Sequence, residues 1–328
     1  MLLSIIVPVY NEDDVIKIFH QKTSSVLDSQ SFDAEIIYVN DGSTDSTLEK
    51  LLQLKEVDSR IIIADLSRNF GKEIAMTAGL DYCKGDAVVI IDADLQDPPE
   101  LIPELILKWQ AGYDVVYAKR ISREGESALK KLTSKVFYRI LKHVSRVTIP
   151  EDTGDFRLMS RRAVNALNSL RERNRYMKGL FAWIGYPQTA VLYHRDPRYA
   201  GESKWNYYGL WNLAVEGITS FSTAPLKIST YMGLLTATGA FLYGIWIIFK
   251  TLIYGDPVAG FPTMMAIILF LGGSQLLALG IIGEYLGRIF SESKQRPLYL
   301  INGLYQSASS ETVRITSTQE FDSTDSTT

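Results

Sequence analysis

The sequence has a single cysteine, Cys83, and only three histidines among 328 residues. A lone thiol excludes an internal disulfide, and the lack of a Cys/His cluster excludes a zinc site of the usual spacing. Both fit a reducing compartment, with Cys83 read as a core residue. Two phosphate cradles are missing as well. Neither G-x-G-x-x-G nor G-x-x-x-x-G-K-[ST] occurs, so no glycine loop offers its amides to a diphosphate, which would need another counter-charge. Charge is absent from residues 228–249 and again from 257–283. The ordinary averages, 46% hydrophobic residues and a net charge of −3, hide that segregation.

Those two uncharged runs are each long enough to span a hydrocarbon core as a helix. Lys227 precedes the first, Arg288, Lys294 and Arg296 follow the second, and the connecting loop 254–262 has no Lys or Arg. By the positive-inside rule this predicts a multi-pass protein of the cell membrane, with a two-helix transmembrane hairpin and both termini in the cytoplasm. Gly233, Gly239, Gly244, Gly272 and Gly273 would allow close helix approach, within the chain or in a homo-oligomer. Residues 129–146 place Leu129, Leu132, Val136, Phe137, Ile140, Leu141 and Val144 at helical spacing among six basic residues. That pattern suits an anionic membrane surface or a solvated basic face. Trp205, Tyr207, Tyr208 and Trp211 open a second candidate interface segment at 205–221, with core packing as its rival.

The rest reads as α/β. Apolar runs at 4–9, 35–39, 60–66, 87–92 and 114–118 have strand length, and helical patterns separate them, which predicts a mostly parallel sheet. The opening MLLSIIVPVYNEDD is short, lacks a basic leader and ends in acid, so it is read as the first strand rather than a secretory signal. Function in such folds sits at the carboxyl ends of the strands. Those ends read VPVYNEDD, VNDGSTD, LSRNFGKE, DADLQD and AKR, polar groups that converge on one edge. Asp92, Asp94 and Gln96 offer hard oxygen donors suited to Mg²⁺ or Mn²⁺ bound to phosphate oxygens. In DPPE, Asp97 fits a helix N-cap, with Pro98 at the first helical position and Glu100 at the third.

With SIIVPVYNE, YVNDGSTD, SRNFGKE, DADLQDPPE, TGDFRLMSR and GESKW in this order, ahead of two apolar runs, the sequence resembles the inverting family-two glycosyltransferases. Within them it is similar to the polyprenyl-phosphate enzymes, GtrB-like or dolichol-phosphate mannose synthase-like. The resemblance covers about residues 1–300 and implies a GT-A (Rossmann-like) α/β domain over 1–225. Interface helices near 129–146 and 205–221 belong to that domain, helices near 228–250 and 262–286 lie within 226–288, and a cytoplasmic tail over 289–328 is disordered beyond about 305.

The resemblance also implies roles. Pro8, Tyr10, Glu12, Asp41 and Lys72 lie around the nucleotide sugar, with Asp41 placed to accept from the base's ring N–H. Asp94 and Gln96 hold the metal, and Asp92 sits nearer the sugar or ribose. Asp155 and Arg157 work at the acceptor and donor sugar. Arg120, Arg139, Arg198, Ser203 and Lys204 meet the two substrates' phosphates. The implied reaction is metal-dependent, inverting transfer of a hexosyl group, glucose from UDP-glucose, to undecaprenyl (polyprenyl) phosphate, with Mg²⁺ or Mn²⁺ as cofactor and no nucleic-acid partner. GDP-mannose or a modified arabinose as donor stays open, and so does a membrane-anchored nucleotide-sugar sensor. A processive polysaccharide synthase would carry more spans and a QxxRW-type motif, which is absent.

Overall fold

The computed structural model of the chain describes residues 1–121, 150, 153–193, 224–254 and 260–306. Eight strands form one sheet in these residues: β1 (Leu2–Val9), β2 (Asp33–Asn40), β3 (Ile61–Leu66), β4 (Ala87–Ile90), β5 (Val115–Arg120), β6 (Thr153–Ser160), β7 (Gln188–Tyr193) and β8 (Ile301–Tyr305). Their order across the sheet is β7-β5-β6-β4-β1-β2-β3-β8. Side chains alternate along each strand, and both faces are covered, which is why the strands read as continuous apolar runs. Ile5 and Val7 face one core with Phe19 and Tyr38; Ile6 faces the other with Val39, Met76 and Leu180.

Helices α1 (Ile16–Asp28), α2 (Thr47–Val57) and α4 (Ile102–Gln110) cover the first face. Helices α3 (Lys72–Tyr82), α5 (Arg161–Ser169) and α6 (Met177–Trp183) cover the second. Gly79 of α3 lies so close to β1 that a Cβ there would stand 2.3 Å from Ile6, and the absent side chain lets helix and sheet touch.

The sheet is mostly parallel, as expected, with β6 and β8 reversed. β1 pairs in parallel with β2 and β4, β2 with β3, and β5 with β7, whereas β6 runs antiparallel between β4 and β5, and β8 antiparallel beside β3. The sheet is therefore mixed. The reversal of β6 decides the site, because it brings the start of that strand to the edge where β1 to β4 end. Residues 301–305, expected in the tail, cover the β3 edge that would otherwise expose a row of unpaired backbone groups. Asn302 donates to Asp65 Oδ2 at 2.7 Å, and Asn40 donates to Asp65 Oδ1 at 2.7 Å, so strands β2, β3 and β8 share one buried carboxylate.

Two long helices follow, α7 (Ala224–Tyr254) and α8 (Phe261–Ser293), packed as a hairpin. Among the described residues no helix is long and apolar enough to cross a membrane. The expected transmembrane hairpin, and with it the multi-pass localisation, is corrected on that finding. Both helices carry exposed apolar side chains, among them Leu234, Phe241 and Trp246 on α7 and Leu276 and Ile289 on α8. Among the described residues a Cβ on Gly233, Gly239, Gly272 or Gly273 would meet open space, so these glycines mark no close approach there. The base of α8 is tied to the α/β domain, since Glu292 Oε1 accepts the Arg173 N–H at 2.7 Å. The candidate interface segments 129–146 and 205–221 and the chain beyond 306 lie outside the described residues.

Candidate active site

The loops after β1 and β2 are locked to each other by short polar side chains. Asn11, at φ 53°, accepts the Thr44 N–H at 2.8 Å. Ser43 Oγ accepts the Asn11 N–H at 3.0 Å, and Asp45 Oδ1 accepts the Thr47 N–H at the start of α2. The cap residue of α2, Ser46, makes no side-chain capping bond, and Asp45 just before it takes the first helical N–H instead. Gly42 is irreplaceable by shape: its φ is +66°, and a Cβ would lie 2.4 Å from the Arg68 carbonyl carbon.

Asp41 is buried beside that turn, and its two carboxylate oxygens accept the N–H groups of Phe70 (2.7 Å) and Gly71 (2.9 Å). Burial pushes its pKa up against the opposing pull of these two amides. Asp41 therefore builds the loop that enters α3. Pro8 is the last residue but one of β1, and Tyr10 and Glu12 stand in the loop that follows, partly buried.

The charged centre lies where β4, β6 and α3 meet. Ile90 of β4 is registered with Arg157 of β6, and in an antiparallel pair that register, continued by two residues, sets Asp92 opposite Asp155. Lys72, at the start of α3, reaches between them. Its Nζ lies 2.7 Å from Asp92 and also donates to Asp155 Oδ2. Burial penalises the Lys72 ammonium, but the attraction of Asp155 and Asp92 outweighs it and raises its pKa.

The two carboxylates respond in opposite senses. For Asp155, burial opposes ionisation, yet Lys72, Lys178 and Arg157 together hold its pKa well below the usual range. For Asp92, burial dominates, with Asp155 and Asp97 adding to it, and the pKa is raised in spite of Lys72. One ammonium shared by two carboxylates is expected to split their protonation in this way. The other oxygen of Asp155, Oδ1, is buried and has no hydrogen-bond partner among the described residues.

Arg157 is buried too. Its guanidinium donates to the Gly154 carbonyl at 2.9 Å and stacks 3.6 Å above the Phe181 ring of α6, and burial draws its pKa down to about 10. Arg120 ends β5. Its Nε donates to the Tyr193 hydroxyl at 3.3 Å, and that hydroxyl donates in turn to Asp97. Gly154 leaves room for this group, because a Cβ there would come within 3.2 Å of the Arg120 tip. Asp97 is thus not an N-cap. The 3₁₀ turn runs Pro99–Leu101 with Pro98 at its cap, and the Asp97 carboxylate turns inward to Tyr193.

Asp94 and Gln96 flank Leu95, whose φ of 58° folds the loop so that Asp94 accepts the Gln96 N–H at 3.1 Å. Among the described residues no group of three or more His, Cys, Asp or Glu side chains forms a metal cage. The donors at hand are hard oxygens, the kind that fit a divalent ion shared with phosphate. The structure thus brings together Lys72, Asp92, Asp155 and Arg157, with Arg120 on the flank. Arg139, Arg198, Ser203 and Lys204 lie outside the described residues. Sequence reasoning missed Glu73, Lys178, Phe181 and Tyr193. Only Glu73 carried a signal, as the neighbour of Lys72 in NFGKE.

Residues 4–167 match the model of the family described as glycosyl transferase family 2, and residues 224–289 match the GtrB C-terminal hairpin. The chain is 52% identical to the "Uncharacterized glycosyltransferase sll0501" of Synechocystis sp., over 92% of this chain and 95% of that protein. It is 49% identical to the bactoprenol glucosyl transferase of Shigella phage SfV, over 92% and 98%. Among solved structures it is similar to the glucosyl-3-phosphoglycerate synthase of Mycobacterium tuberculosis, at 20% identity and a TM-score of 0.45, covering 66% of this chain and 77% of that one.

Proposed function

The chain belongs to glycosyl transferase family 2, in its GtrB-like branch, and on that premise we propose that it transfers glucose from UDP-glucose to undecaprenyl phosphate with inversion at the anomeric carbon. The bactoprenol glucosyl transferases aligned with 92% of the chain support the substrate pair. The observation that carries the mechanism is Asp155: one oxygen is fixed on Lys72 and the other is buried without a partner among the described residues. A buried acceptor of that kind costs about 1–3 kcal/mol unless something donates to it, and a sugar hydroxyl would.

The acceptor brings its own nucleophile, since a phosphate monoester with a second pKa of about 6 is largely dianionic at neutral pH. A strong protein base is then unnecessary, and Asp155 orients rather than deprotonates. A phosphate oxygen attacks C1, the bond from C1 to the UDP oxygen breaks in line, and the leaving diphosphate takes the electron pair. The protein's main work is to bring two anions together. Lys72 and Arg157 supply positive charge at that point, with Arg120 beside them. Asp92, facing Asp155 across Lys72, is placed for a sugar or ribose hydroxyl. Asp94 and Gln96 would hold Mg²⁺ or Mn²⁺, which supplies Lewis-acid stabilisation to the departing diphosphate.

In this reading Pro8, Tyr10 and Glu12 border the nucleotide, while Asp41 acts through the loop it braces. Arg139, Arg198, Ser203 and Lys204 remain proposed phosphate ligands. The catalytic unit takes in residues 1–225, together with the strand β8 that completes the sheet. The test is to incubate the purified full chain with undecaprenyl phosphate, a divalent cation and either UDP-glucose, GDP-mannose or a UDP-arabinose derivative, and to identify the lipid product by mass spectrometry. Glucosyl phospholipid from UDP-glucose alone is the expected result. A product from another donor, or binding of nucleotide sugar without any product, overturns the reading.

A further inference from the structure

Glu73 follows Lys72 in the first turn of α3, and nothing above gives it work. Its Oε2 accepts the Met177 N–H at 3.0 Å across a separation of 104 residues, tying the start of α6 to the start of α3. The same α6 carries Phe181, whose ring supports the buried Arg157 guanidinium at 3.6 Å. Arg157 is 5% exposed, and its hydrogen bonds run to the backbone carbonyls of Gly154 and Asp155. With those contacts confined to one side, the Phe181 face sets the tilt of the guanidinium plane. A shift of α6 would therefore move Arg157.

We infer that Glu73 is a positioning residue for glucosyl transfer: by accepting the Met177 N–H it fixes α6, and α6 holds Arg157 in the site. The inference rests on the reading of Arg157 and Asp155 as site residues. Charges face Glu73 from three directions. Lys72 is its neighbour on α3, Asp155 and Arg157 come from β6, and Arg175 and Lys178 lie just before and within α6. Burial, followed by repulsion from Asp155, pushes the Glu73 pKa up to about 8. At neutral pH the group is mostly a neutral acid whose oxygen can still accept the Met177 amide. Above that value a second negative charge develops beside Asp155, in a site that must receive two anionic substrates. The KM for nucleotide sugar should rise there.

The test measures glucosyl transfer from UDP-glucose to undecaprenyl phosphate by full-length wild type, Glu73→Gln and Glu73→Ala between about pH 6.5 and about 9.5, with thermal melting in parallel. Glutamine keeps an acceptor oxygen and cannot titrate. It should stay within about threefold of wild-type kcat/KM near neutrality and lose the alkaline rise in KM, whereas alanine should lose at least about tenfold in kcat/KM. Equal losses in both variants, a wild-type rate for alanine, or an unchanged alkaline limb in Glu73→Gln each overturn the inference. If Glu73→Ala does not fold, the pH profile of Glu73→Gln decides alone. A wild-type chain that transfers no glucose overturns the functional reading itself and this inference with it, a result distinguishable from an active wild type with unaffected variants.

Discussion

Asp41 and Asp155 stand at the same edge of the sheet and are used in opposite ways. Asp41 gives each of its oxygens to a backbone amide of the next loop. Asp155 shares one ammonium with Asp92 and keeps a buried oxygen without a partner among the described residues. A carboxylate satisfied by main chain is a fixed part of the scaffold, since rearranging it would unmake the loop. One held by a single long lysine side chain can exchange partners when a ligand arrives. Residue type and strand-end position do not separate the two roles; the hydrogen-bond inventory does.

The sharpest way to break this comparison is Asp155→Asn. If Asp155 serves substrate, transfer should fall by about 100-fold or more while the protein still folds, because an amide of the same shape accepts a sugar hydroxyl less strongly and no longer offsets Lys72. Transfer assays alongside thermal melting check it. Activity near wild type would place Asp155 with Asp41, in the scaffold.

Asp41→Asn should do the reverse. One of the two amide bonds loses its acceptor, so unfolding in urea should show a loss of about 1–3 kcal/mol. Transfer should fall by only about tenfold, chiefly in KM, as the loop carrying Lys72 loosens. A stability unchanged from wild type would mean that the carboxylate is not what braces residues 70 and 71.

Acid sharpens the same contrast. The folded-state pKa of Asp155 is depressed below the ordinary range of an aspartate, so the stability it contributes is fully present above the unfolded pKa and is lost as pH falls through the folded one. Asp41 is shifted the other way by burial and gives no such contribution. Urea midpoints of wild type and Asp155→Asn, compared from about pH 6 down to about pH 2, should therefore converge as acid is added below about pH 4. Parallel curves would show that the Lys72–Asp155 pair does not contribute to folding.

What the sequence made legible follows the same physics. The strands β1 to β5 announced themselves because burial on both faces demands unbroken apolar runs. β6 hid because its residues TGDFRLMS carry Asp155 and Arg157 inside the strand, and β8 hid because its Asn302–Gly303 reads as a turn. Motif resemblance named Lys72, Asp92, Asp155 and Arg157 as candidates, and the structure brings these four together. Glu73 and Phe181 were not so named, because their contacts depend on α6 folding back onto α3 and β6, and no local pattern encodes an approach across so long a separation.

The smallest effect tests Asp97, where local pattern and observed contact disagree. DPPE reads as a capped helix start, yet the carboxylate is 1% exposed and accepts the Tyr193 hydroxyl, with Arg120 held on the same hydroxyl. Asp97→Asn cannot separate the two readings, because asparagine both caps helices and accepts a hydroxyl proton; the change should cost under about 1 kcal/mol either way. Tyr193→Phe separates them. If Asp97 were a cap, removing a hydroxyl from β7 would change nothing at residue 97. With the contact as found, the variant leaves a buried carboxylate short of its donor and frees Arg120 from one side, so it should lose about 1–2 kcal/mol in urea unfolding. The double variant Asp97→Asn/Tyr193→Phe should then fall short of the sum of the single losses, since residues in direct contact do not add. Strict additivity would return Asp97 to the helix start.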